Sequence, residues 1–138
     1  MFQVAREIHF CYGHRILSDP TGRCQHLHGH TARALVVLES PSLDDRGMVL
    51  DFSDIRQHVA GWVDQHFDHC MILQQNDPLV TELQAAGEPL FLTEAPPTAR
   101  ELARIIFQFA QECGFPVVHV EFWETDDVVD RYPQPYPA

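Results

Sequence analysis

The chain has 138 residues and a formal net charge of −11, and its nine basic residues are all arginine. Hydrophobic residues make up 45% and charged residues 21%, the profile of one globular domain over residues 1–138. A chain of this length buries roughly two-thirds of its unfolded surface and needs no staple to fold. No basic cluster exists, which excludes nucleic acid and anionic membrane as expected partners and leaves a small anionic substrate met by a few arginines. The start, "MFQVAREIHF", lacks a basic region followed by an apolar run and is not read as a signal peptide. No apolar stretch approaches the ~18 residues of a membrane span. Cys11, Cys24, Cys70 and Cys113 are scattered without a CxxC pair, which suggests a reducing cytoplasm, with Cys11, Cys70 and Cys113 as small buried hydrophobes.

In chain order, "FQVAREIHF" is apolar at Phe2, Val4, Ile8 and Phe10, close to strand alternation. The turn-rich stretch 18–22 follows, and "TARALVVLE" from Thr31 reads as a second strand, forming a hairpin with the first. "DFSDIRQHVAGWVDQHFD" has Phe52, Ile55, Val59, Trp62, Val63 and Phe67 at helical spacing, with Asp51 or Ser53 as its cap. Residues 73–96 are less regular, offering a short helix that ends at Gly87 and a short strand in "PLFLTE". "PPTARELARIIFQFAQECG" is the second main helix, with Thr98 and Glu101 as a capping box, Gly114 at its C-terminal cap, and Leu102, Ile105, Ile106 and Phe109 inward. "PVVHVEFWE" is a strand with Val118, Val120 and Phe122 on one face, and "VVDRY" its hairpin return. The expected fold is α+β: a four-stranded antiparallel sheet in the order β-β-α-α-β-β, with two main helices on one face.

The stretch "CQHLHGH", residues 24–30, concentrates the chemistry. His28 and His30 stand two apart at the start of a strand, so their side chains share a face. Two imidazoles on one face can hold one zinc ion, and Gly29 between them leaves the other face open. A catalytic zinc normally takes three protein ligands and keeps one position open. His14, His26 and Cys24 are the candidates for the third; a hairpin would bring His14 alongside. Cys24 either ligates the metal or sits near it as a thiolate. Asp68 beside His69 can orient an imidazole for proton transfer, or His69 can simply complement a helix C-terminus. Glu124, ending an apolar strand, can accept two parallel hydrogen bonds from the N–H edge of a pterin or guanine, or be an exposed strand-end charge.

Taken together, "FCYGHRIL…CQHLHGH…GMVLDF…DH…PTARELA…WET" resembles the 6-pyruvoyltetrahydropterin synthase family, which includes the bacterial 6-carboxytetrahydropterin synthases of queuosine biosynthesis. The resemblance runs from about Phe10 to Thr125. It implies that His14, His28 and His30 are zinc ligands, one ion per subunit, and that Cys24 is a general base. It implies that Asp68 and His69 relay protons with Cys24, and that Glu124 anchors the pterin. The implied architecture is the tunnelling fold, in which three sheets close into a barrel and two trimers stack into a homohexamer with active sites between subunits. The implied substrate is 7,8-dihydroneopterin triphosphate, cleaved by a cytoplasmic lyase to 6-carboxytetrahydropterin. The alternatives are the pyruvoyl-forming reaction of the tetrahydrobiopterin branch and a zinc- and pterin-binding module without turnover. Arg15 or Arg23, which flank the cluster, are candidates to meet the triphosphate. The family's PTxEN element is "PTAREL" here, so Arg100 and Glu101 stand in its last two places; Glu101, needed as a helix cap, is left out of the site. The family's LDHxxLN is "FDHCMIL", and Thr31 follows HGH.

Overall fold

The computed structural model describes residues 1–19 and 22–133, so Pro20 and Thr21 of the turn-rich stretch lie outside the described residues. Two long strands, β1 (Phe2–His14) and β2 (His28–Ser40), form the expected hairpin and pair antiparallel over their whole length. A helical segment follows: α1 (Phe52–Asp54), a π-helical stretch Ile55–Ala60, and α2 (Gly61–His66). Asp51 caps it, its carboxylate accepting from the Ser53 backbone N–H at 2.9 Å. Then come β3 (Cys70–Gln74), α3 (Leu79–Ala85), β4 (Leu90–Thr93), α4 (Ala99–Glu112), β5 (Val117–Trp123) and β6 (Val129–Tyr132).

The strands form one six-stranded sheet in the order β4-β3-β1-β2-β5-β6. This corrects the four-stranded antiparallel expectation. β3 pairs parallel with β1 and β4 parallel with β3, so the sheet is mixed. The physical reason lies in chain connection: parallel neighbours require a crossover, supplied by the 52–66 helical segment between β1–β2 and β3, and by α3 between β3 and β4. The expectation of helices packed on one face holds. Ile55, Val59, Val63 and Phe67 pack with Leu102, Ala103, Ile106 and Ala110 of α4 in a single core. That core meets the alternate residues Ile8, Phe10 and Tyr12 of β1 and Ala32, Ala34, Val36 and Leu38 of β2.

Three local departures have plain causes. Phe52 is 55% exposed, because it lies in the first turn before the segment closes on the sheet. On β5 the register slips between Val37 and Leu38, which oppose His119 and Val117, so Val117 rather than Val118 enters the core beside Val120 and Phe122. At α4, Thr98 caps the Glu101 N–H at 3.2 Å, but the Glu101 carboxylate turns to the Arg104 guanidinium at 2.7 Å instead of closing the box. Gly114 ends α4 at φ +83°, the left-handed conformation that a helix C-cap demands.

Candidate metal centre and active site

The hairpin register builds the site. Tyr12 lies opposite His30 and His14 opposite His28, so one end of the β1–β2 ladder carries three imidazoles and a phenol on the core-side face. Ligand nitrogens of His14, His28 and His30 all lie within 4.8 Å of one another. Their rings meet edge to face, with centroids 4.5–5.0 Å apart. Among the described residues these three form the metal-capable group, and neither of the other candidates for third ligand, His26 and Cys24, joins it.

The histidines are oriented by backbone. The His14 Nδ1 is 2.8 Å from the Pro97 carbonyl, just before α4, and the His28 Nδ1 is 2.8 Å from the His26 carbonyl. A carbonyl can only accept, so both Nδ1 atoms carry the proton and both Nε2 atoms keep a free lone pair. The His14 and His30 Nε2 atoms are 3.1 Å apart. Two ligands of one tetrahedral zinc, at ~2.1 Å each, lie about 3.4 Å apart. The donor set and its spacing therefore fit a zinc ion. Burial holds the His14 and His30 pKa values below the ordinary imidazole range, so both are neutral and ready to ligate.

Glu124 follows β5 directly and brings Oε1 to 3.8 Å from the His14 Nε2. Its other contact is the Tyr12 hydroxyl, which donates to Oε1 at 3.2 Å. Tyr12 is buried, and burial first, then the Glu124 charge, pushes its pKa far up, so the hydroxyl stays protonated and donates. Sequence reasoning passed over Tyr12. Its parity with Phe10 and His14 marks it as inward, and a buried tyrosine must find a partner for its O–H, which is the signal that could have found it.

Cys24 lies in the loop before β2 and is exposed. Its backbone N–H donates to Asp19 at 2.8 Å. Partial desolvation, then the Asp19 carboxylate, push its thiol pKa up. Asp68 and His69 lie elsewhere. The Asp68 carboxylate accepts the Cys11 backbone N–H at 3.0 Å, and the His69 backbone N–H donates to the Cys11 carbonyl at 2.7 Å. These bonds hold His69 at φ 59°, with its side chain 81% exposed and its Nε2 3.7 Å from Asp68. Among the described residues no hydrogen bond or ion pair joins Cys24 to Asp68 or His69. His69 borders a cavity of about 400 Å³ that Leu27 and the metal-capable His28 also line. Gly13 and Gly29, directly opposed, form part of its lining. A Cβ on Gly13 would stand 2.8 Å from the Met71 Cε and 3.2 Å from the His28 carbonyl.

The two arginine candidates separate. Arg15 is committed to Asp77, its Nε donating to Oδ2 at 2.7 Å and its second nitrogen to Oδ1. Arg23 is exposed beside Cys24. Glu101, paired with Arg104, borders a second hollow with Arg100 and Tyr132.

A mixed sheet with helices on one face, and three converging histidines that could hold a metal ion at one end of its central hairpin, define an α+β protein with a candidate metal centre. Residues 3–134 match the 6-pyruvoyl tetrahydropterin synthase family, and the chain belongs to that family. It is 32% identical over 132 residues to the 6-carboxy-5,6,7,8-tetrahydropterin synthase of Rickettsia bellii, covering 91% of this chain and 95% of that one. It is 33% identical over 140 residues to the protein of the same name from Synechocystis, covering 98% and 95%. A crystal structure of an uncharacterized protein from Wolinella succinogenes superposes with a TM-score of 0.79 at 28% identity, over 96% of this chain and 98% of that one. The 6-pyruvoyl tetrahydropterin synthase of Caenorhabditis elegans superposes with a TM-score of 0.70 at 20% identity, over 95% and 94%, and shares the fold. No helix among the described residues is long and apolar enough to cross a membrane.

Proposed function

We propose that this chain is a zinc-dependent 6-carboxytetrahydropterin synthase, converting 7,8-dihydroneopterin triphosphate and water to 6-carboxytetrahydropterin, acetaldehyde and triphosphate. The observation that carries the proposal is the convergence of the ligand nitrogens of His14, His28 and His30 beside the Glu124 carboxylate. The names of the relatives from Rickettsia bellii and Synechocystis favour the carboxy product over the pyruvoyl one.

In this reading His14, His28 and His30 hold the zinc. When bound, zinc supplies Lewis acidity toward substrate hydroxyl oxygens and a positive charge that opposes the upward push on the Cys24 thiol. Glu124 accepts the N–H edge of the pterin and sets the ring's orientation. The Cys24 Sγ takes the proton from the side-chain carbon next to the ring, and the ring is protonated in turn, so the ring is reduced as its side chain is oxidised. His69, held by Asp68, exchanges the proton of the next side-chain centre. Because His69 and Cys24 border different parts of one chain, the pair is completed between subunits, as in a homohexamer of two stacked trimers. Arg23 is the flanking arginine left to meet the triphosphate. The four cysteines are free thiols, which accords with a cytoplasmic enzyme.

Mass spectrometry of products from zinc-loaded protein and 7,8-dihydroneopterin triphosphate tests the reading. Acetaldehyde with 6-carboxytetrahydropterin is the expected result. A pyruvoyltetrahydropterin product, or zinc and pterin binding without turnover, would overturn it.

A further inference from the structure

We propose that the Tyr12 hydroxyl is a positioning group that keeps Glu124 off the metal, so that its carboxylate serves the substrate instead of becoming a fourth protein ligand. The inference rests on the reading above of a zinc site with Glu124 as pterin anchor.

The Glu124 Oε1 lies 3.8 Å from the His14 Nε2, while the ligating nitrogens of His14 and His30 lie 3.1 Å apart. The carboxylate is therefore less than 1 Å farther from His14 than one ligand atom is from the other. Carboxylates ligate zinc readily, and a dication attracts the nearest anion. A glutamate left to itself here would move onto the ion, fill the position that substrate must occupy, and lose the lone pairs that an N–H edge would use. Among the described residues the Tyr12 hydroxyl is the one hydrogen-bond donor to that carboxylate, and it holds the same Oε1 that is nearest the histidines. The donor cannot drift. Tyr12 is 3% exposed, and its ring is packed against Phe10, Phe122, His14 and His30, with centroids 5.0–5.8 Å apart. The pairing of Tyr12 with His30 in the ladder ties the hydroxyl to the same rigid hairpin that carries the ligands. The phenol thus fixes Glu124 from the side away from solvent and leaves Oε2 and the outer lone pair of Oε1 for a ligand.

The test compares wild type, Tyr12→Phe, Glu124→Gln and the double variant. Zinc affinity is read by competition with a chromophoric chelator, coordination by the visible spectrum of the cobalt(II)-loaded protein, and KM with kcat for the reaction. Tyr12→Phe keeps the packed ring and removes only the oxygen. Its zinc affinity should rise about tenfold, by the scale on which neighbouring groups tune metal sites. Its cobalt spectrum should differ from that of wild type, and KM should rise more than kcat falls. Both metal effects should vanish in the double variant. Unchanged or weaker zinc binding in Tyr12→Phe, with an unaltered cobalt spectrum, would overturn the proposal. Should Tyr12→Phe fail to fold, Glu124→Gln decides alone: unchanged zinc affinity supports a carboxylate held off the metal, and weakened affinity shows it already ligating and sinks the idea. Wild-type protein that binds no zinc would instead overturn the metal-site reading on which this one stands.

Discussion

Replacing Asp77 with alanine should destabilise the protein far more than an ordinary ion-pair deletion. The Asp77 side chain is 1% exposed and Arg15 17%, and the guanidinium meets the carboxylate with two nitrogens. Removing one partner of a buried pair costs roughly 3–5 kcal/mol, because the other charge is left desolvated. Arg15 keeps some access to water, which places the loss near ~3 kcal/mol on that range. The same carboxylate accepts the Leu79 N–H at 2.9 Å at the start of α3, worth about 1 kcal/mol more as a cap. A total near ~4 kcal/mol is a large share of the roughly 5–15 kcal/mol that holds a domain of this kind together. With an unfolding entropy of about 2.1 cal/mol/K per residue, a loss of that size lowers Tm by about 14 °C.

Urea unfolding of the metal-free protein, followed by circular dichroism, reads this directly. At a slope of about 2 kcal/mol/M the midpoint should fall by ~2 M with the slope unchanged. Asp77→Asn, which keeps an acceptor for Leu79 but not the charge, should fall between. A midpoint shift under about 0.5 M for Asp77→Ala would mean instead that the pair's attraction only matches its desolvation, and that Asp77 is no more than an ordinary ion-pair partner.

Asp77 also sets an acid limit. The Arg15 guanidinium, and then the Leu79 N–H, hold its carboxyl below the ordinary range. Its stabilising share is therefore fully present above the unfolded value of about 3.9 and lost as pH falls through the lower native one; the urea midpoint of wild type should drop below about pH 4, and that of Asp77→Ala should drop less steeply. Gly114→Ala forces an L side chain to φ +83° at the end of α4 and should cost roughly 1–2 kcal/mol by the same assay, with zinc affinity unchanged. Cys24→Ala should keep its zinc, measured by atomic absorption, and lose about 10²–10⁴-fold in turnover, the range for a removed general base; loss of zinc would make Cys24 a ligand.

What the sequence could reveal was set by distance along the chain. The β1–β2 hairpin and its register follow from alternation and a turn, and with them comes the meeting of His14, His28 and His30, because opposed and alternate positions share a face. Thr98 and Asp51 as caps, and Gly87 and Gly114 as stops, are equally local. The sheet order was not legible in the same way. β3 touches β1 through three residue pairs, Tyr12–Cys70, Gly13–Met71 and His14–Ile72, and no local pattern announces a parallel pairing across some 58 residues. A five-residue strand in an irregular stretch carries little periodic signal.

That missed pairing has a consequence for chemistry. With β3 beside the end of β1, the turn that precedes it is held against Cys11 by two hydrogen bonds, and this is what turns the His69 side chain outward at φ 59°. Asp68 and His69 also close the C-terminus of α2, the Asp68 N–H donating to the Val63 carbonyl at 2.9 Å. The pairing of β3 with β1 sets His69 at a cavity shared with His28 of β2. The residue that reads as an ordinary core aromatic, Tyr12, illustrates the same limit from the other side: its hydroxyl partner lies 112 positions away, on the far neighbour of β2, and only the sheet order β1-β2-β5 brings the two together.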